Sequence, residues 1–117
     1  MKERKVIFHI DELNKWKLLL GNINNLINAL QNEIYNIEVV ANAEAVKLYD
    51  FNNNFSSEEF HVMEDLSHKK VKFVACNNAL KSYGIQRENL MAFVLVVPAG
   101  ILELIDKQKE GYAYIKP

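Results

Sequence analysis

The order of apolar and polar positions divides the chain into short runs with two different periods. Val6-Ile7-Phe8-His9-Ile10 is almost wholly apolar and largely β-branched, the pattern of a strand covered on both faces, as in a parallel sheet. Asp11 can cap a helix, and beyond it Leu19, Ile23, Leu26, Ile27 and Leu30 recur at three- and four-residue spacing, a stripe that Trp16 extends. Asn22, Asn24 and Asn25 fall off the stripe, on a face for solvent, a subunit or a ligand. Ile37 to Ala41 reads as a second strand, and Glu44 to Tyr49 as a short helix. Asp50 to Ser57, with Asn52-Asn53-Asn54, is a loop by composition.

Ser56 and Glu59 have capping-box spacing, and the helix they open carries Phe60, Met63 and Leu66 on one side. The positive run His68-Lys69-Lys70 closes it. Val71 to Ala75 is a third strand, and Asn77 to Tyr83 is a short helix with Gly84 as its C-terminal cap. Gln86 to Leu90 adds a turn. Ala92 to Val97 is the most apolar run, so it is expected to be a central or doubly covered strand, stopped by Pro98. Ile101, Leu102, Leu104 and Ile105 form the expected inner face of the last helix, Gly111 ends it, and Tyr112 to Ile115 is a short closing strand.

Strict alternation of strand and helix predicts parallel strands joined by right-handed crossovers, a layered α/β domain. A chain of 117 residues is long enough for one such domain, 1–117, and too short for two ordinary ones. The formal net charge of -1 gives no general attraction to nucleic acid or anionic lipid, so neither is an expected partner. No apolar run approaches the roughly 20 residues that span a bilayer. The run after the charged start Met1-Lys2-Glu3-Arg4-Lys5 is too short for a signal-peptide core. The single cysteine, Cys76, cannot form an internal disulfide, which suits a reducing cytoplasm.

Ligands of open α/β sheets gather at the C-terminal strand ends. Here those ends offer His9 and Asp11, Asn42 and Glu44, Cys76 to Asn78, and Pro98 to Gly100. The first strand–helix turn contains no glycine, so it forms neither a dinucleotide fingerprint nor a phosphate loop, and no nucleotide or other cofactor is expected. His9, His61, His68 and Cys76 have no paired metal-ligand spacing, and no metal site is assigned. Ser56, Ser57, Ser67 and Ser82 lack a strand-end elbow. Cys76 remains, with two readings. A lone cysteine is commonly a small inert hydrophobe. This one ends a strand and precedes a helix, whose free N–H groups favour a thiolate or a persulfide anion.

Several blocks together resemble the DsrE/DsrF-like family of sulfur-transfer proteins. They are Val6 to Glu12 with Lys15-Trp16, Gly21 to Leu26, Val39-Val40 with Glu44-Ala45-Val46, and the more specific Val71 to Asn78, Val96 to Gly100 and Gln108 to Pro117. The resemblance implies a three-layer α/β/α fold with a five-stranded parallel sheet in the order 4-3-2-1-5. It implies homo- or hetero-oligomers, often trimers or hexamers, and a persulfide on the cysteine matching Cys76, passed between a donor and an acceptor protein.

In that order Cys76 lies beside Asn42 and Pro98, while His9 is two strands away, roughly 10 Å at the backbone. His9 is thus a pocket candidate rather than a direct base within one subunit. Three crossovers moving one way leave the opposite sheet face to one helix, so a second subunit is expected to complete its cover. The leading expectation is a cytoplasmic sulfur carrier. Cys76 is its exposed nucleophile, the backbone N–H groups of Asn77 and Asn78 are anion donors, and Asn42, Pro98 and Ala99 form the pocket walls. The alternative is a non-catalytic oligomeric module binding a small ligand or protein, with Cys76 structural. Redox sensing through a sulfenic acid would need a second thiol or a small-molecule thiol to resolve it, and this chain supplies none.

Overall fold

The computed structural model describes residues 3–117; Met1 and Lys2, the first of the charged start, lie outside them. Five strands alternate with helices: β1 (Glu3–Ile10), α1 (Trp16–Leu30), β2 (Ile34–Ala41), α2 (Phe51–Asn54), α3 (Glu58–His68), β3 (Lys72–Cys76), α4 (Asn77–Ser82), β4 (Val94–Val97), α5 (Gly100–Lys109) and β5 (Ala113–Ile115). Short 3₁₀ turns occupy Leu13–Lys15, Ala43–Tyr49 and Arg87–Asn89. All strand pairs are parallel, and the sheet order is β4-β3-β2-β1-β5, the expected 4-3-2-1-5. The register places Ile115, Phe8, Val39, Phe73 and Val94 in one row across the sheet.

Strand alternation sends Phe8, Ile10, Val39, Ala41, Phe73 and Ala75 to one face, where α1, α3 and α4 cover them in the main core. Trp16 anchors that layer. Its indole N–H donates to the Ala45 carbonyl at 2.9 Å, and its ring meets Tyr49 edge-on at 5.3 Å. On the other face, among the described residues, Ile7, Val40 and Val74 have only Leu104 of α5 as a buried apolar partner. The two faces therefore carry unequal cover, as the crossover directions require.

Several local expectations are corrected. Ile101, Leu102 and Ile105 do not face inward: they are 57%, 52% and 45% exposed, and only Leu104 of that group is buried. The apolar run 92–97 supplies the edge strand β4 rather than a central one, and its Leu95 is exposed. Both misreadings have one cause, since apolar pattern reports what must be covered and not by which chain. Asp11 caps no helix; its carboxylate pairs with Lys116 at 3.3 Å. Ser57, not Ser56, caps α3 by accepting from the Phe60 N–H. The asparagine-rich stretch winds into α2 because the Asp50 carboxylate accepts from the Asn52 N–H. Gly84 closes α4 as expected, at φ +65, with Ile85 N–H donating back to the Leu80 carbonyl.

Glu38 of β2 is buried beneath α5, beside Glu103, and its Oε2 has no hydrogen-bond partner among the described residues. Burial pushes its carboxyl up to about 8, reinforced by the hydrogen bond and charge of Glu103 and opposed by Lys107 and Lys72. The folded protein thus holds a proton that the unfolded chain releases above the ordinary value of 4.5. The stability contributed by this site is full below 4.5 and is lost as pH rises through about 8. Denaturant unfolding at a series of pH values is expected to show that decline, and Glu38→Gln to flatten it; equal slopes in the two proteins would refute the assignment.

Candidate functional site

The strand ends converge because parallel pairing holds them level. Ala41 of β2 lies opposite Ala75 of β3, so the next residues, Asn42 and Cys76, are neighbours; Cys76 in turn lies opposite Val97 of β4. They border an open cavity of about 370 Å³, with Asn78 and Ala79 of α4 on one wall and Ala99, Gly100 and Ile101 on another. Ser82 and Tyr83 extend the α4 wall outward.

Gly100 sets how closely α5 approaches. A Cβ there would stand 3.2 Å from Cys76 Cβ and 3.3 Å from Val40 Cγ1, tighter than side chains ordinarily pack, and 3.5 Å from Asn42 Cβ, an ordinary contact. The absent methyl group lets the first turn of α5 press onto the end of β3. The N-cap of α5, Ala99, has no side chain able to accept from that turn, and the structure shows no side-chain cap. Across the cavity Ala43 adopts φ 49, a left-handed conformation uncommon for a residue with a side chain, directly after Asn42. Glu44 then braces the loop, its Oε2 accepting from the Leu13 N–H at 2.9 Å.

Cys76 is 7% exposed, so the expectation of an exposed thiol is corrected: the residue is packed into the core edge while also bordering the cavity. Of the other expected residues, Asn42, Asn78 and Ala99 are cavity-lining. Asn77 and Pro98 are not among the lining residues, and Pro98 is exposed.

His9 does not line the cavity but reaches it through a partner. It is 8% exposed; its Nε2 lies 3.0 Å from Asn42 Oδ1 and its Nδ1 lies 2.6 Å from the Tyr114 hydroxyl. The three side chains belong to β1, the end of β2 and β5.

Sequence reasoning gave no pocket role to Ala43, Ile101, Tyr83 and Tyr114, set Ser82 aside as a nucleophile, and named Gly100 only as part of a strand-end segment. Three of these had a signal. Ser82 and Tyr83 stand one helical turn beyond Asn78 and Ala79, on the same face of α4. Gly100 opens a helix where any good helix former would serve, unless close packing forbids a side chain. The asparagine face of α1 divides: Asn22 and Asn25 are exposed, while Asn24 lines a separate groove with Gly21, Glu58 and Val62.

The architecture recurs in a solved structure. A protein of unknown function from Methanobacterium thermoautotrophicum, MTH1491, superposes with a TM-score of 0.85 at 34% identity, over 97% of this chain and 99% of that one. A search of curated proteins returned no match. No described helix is long and apolar enough to cross a membrane. The DsrE/DsrF-like family model matches residues 15–117, which takes in the α1 stripe, the Cys76 strand end and the α5–β5 ending, and with the sheet order and the solved relative it follows that this chain belongs to the DsrE/DsrF-like family.

Proposed function

We propose that the protein is a sulfur carrier of the reducing cytoplasm, holding a persulfide on Cys76 and passing its outer sulfur to a partner. The observation that carries this reading is the position of Cys76. In a chain of this family, its only thiol borders a cavity at the strand ends, against the first turn of α5. That turn supplies unpaired N–H donors and the positive end of a helix dipole, which suit a sulfur anion. They take the role first expected of Asn77 and Asn78, since α4 is only six residues long.

The transfer balances without an outside oxidant. The Cys76 thiolate attacks the outer sulfur of a donor persulfide; the new sulfur–sulfur bond forms as the donor's bond breaks, and the donor leaves as a thiolate. An acceptor thiolate then attacks the outer sulfur on Cys76 and releases the Cys76 thiolate. The burial of Cys76 favours a second reading, a non-catalytic binding module in which the sulfur is structural. Loading separates the two. Incubation with a cysteine desulfurase and cysteine is expected to add about 32 Da, one sulfur, to the wild-type chain and nothing to Cys76→Ser by mass spectrometry. An unmodified wild-type chain would reject the carrier.

We further propose a homo-oligomer, a trimer or hexamer, that covers the thinly protected side of the sheet. Leu95 on β4 and Ile101, Leu102 and Ile105 on α5 supply exposed apolar side chains for such a contact. Light scattering of the purified protein is expected to give a multiple of the 13.5 kDa chain, and Leu102→Glu with Ile105→Glu to reduce it toward the single-chain mass. A wild-type protein of single-chain mass at micromolar concentration would reject the assembly.

A further inference from the structure

We propose that His9 and Tyr114 are positioning residues that hold the Asn42 carboxamide by its oxygen, leaving the Asn42 Nδ2 hydrogens to face the cavity as donors to a sulfur anion on Cys76. The inference rests on the sulfur-carrier reading for its ligand and on side-chain geometry for everything else.

A neutral imidazole ring has one donor nitrogen and one acceptor nitrogen, and here both nitrogens have partners within hydrogen-bond distance. Asn42 presents Oδ1, an acceptor only, to Nε2 at 3.0 Å, so Nε2–H donates to it. Nδ1 is then the acceptor, and the Tyr114 hydroxyl, which can serve as either, donates to it at 2.6 Å. A charged ring changes only the Tyr114 end, whose oxygen then accepts; the bond to Asn42 keeps its direction. In both states the Asn42 oxygen is occupied, and the amide cannot turn over without losing that bond.

Asn42 borders the cavity with Cys76, and its Cβ meets the same Gly100 surface that Cys76 Cβ meets. With Oδ1 turned to His9, the end of the Asn42 amide left for the cavity is its Nδ2 donor pair. Donors fixed before charge develops stabilise an anion better than groups that must reorient. His9 is almost fully buried and cannot trade Asn42 for water. Tyr114 sits on β5, which pairs with β1 over three residues and sets the hydroxyl beside His9. The fifth strand thereby contributes to a cavity on the third without touching it.

Two measurements test this on the full-length protein. In ¹⁵N NMR of the His9 ring, Nε2 is expected to carry a hydrogen; an unprotonated Nε2 would overturn the arrangement. In the second, the rate of Cys76 alkylation by iodoacetamide near neutral pH is expected to fall about tenfold in Asn42→Asp, and about threefold or more in Tyr114→Phe and His9→Leu, sizes suited to one oriented hydrogen bond. His9→Gln, whose amide nitrogen can replace Nε2–H, is expected to recover most of the rate. Tyr112→Phe, on the same C-terminal segment, should match wild type. Rates unchanged in both Tyr114→Phe and Asn42→Asp would overturn the proposal, as would a Tyr112→Phe rate as slow as Tyr114→Phe. If His9→Leu fails to fold, the Tyr114→Phe and Asn42→Asp rates decide. Neither measurement requires sulfur transfer, so a chain that takes up no sulfur while showing these rates would fail as a carrier and still hold Asn42 in this way.

Discussion

Right-handed crossover between parallel strands is the constraint on which the rest of this structure depends. Three successive crossovers step from β1 to β4 in one direction and must lay their helices on one face. The return from β4 to β5 reverses direction and lays α5 on the other. From that follow a thick core under Trp16, Met63 and Leu66, a thin one under Leu104, and a helix whose outer side chains have no cover of their own. The site follows as well. The helix leaving β4 brings its first turn back over the ends of β3 and β2, where Cys76 and Asn42 stand.

That geometry draws the polar groups around the cavity from distant segments. The thiol comes from β3, the unpaired N–H groups from α5, and the side-chain amide from the end of β2. The amide is in turn fixed by β1 and β5. Glu38 belongs to the same arrangement at lower depth: it lies on the thin face beneath α5, and its proton is retained because the strand and helix close over it. The helix that completes the site therefore rests on a titratable floor.

Most of the framework was legible in the sequence. β-branched runs separated by three- and four-residue apolar spacing indicated the alternation of elements, and the sheet order came through the family resemblance carried by the cysteine block with the Val96 to Gly100 and C-terminal blocks. The cavity was legible in part. Cys76, Asn42, Asn78 and Ala99 follow from strand ends, because topology sends chemistry there. His9 was visible as a strand-end residue, but its partner was not: Tyr114 lies 105 positions away and reaches it only because β5 pairs with β1. The outward face of α5 was misread for a complementary reason. Ile101, Leu102 and Ile105 have the spacing of a core stripe, and a pattern of apolar residues does not state whose core it belongs to.

Gly100 gives one more consequence. The separation between α5 and the sheet is set there by a missing carbon, since a Cβ would already crowd Cys76 and Val40. Val40 belongs to the thin core and Cys76 to the cavity, so a single spacing fixes both. Whatever lifts this end of the helix enlarges the room around the sulfur and loosens the cover over Val40 in the same movement. Access to the thiol and cohesion of the thin layer are one mechanical coordinate, with glycine as its zero mark.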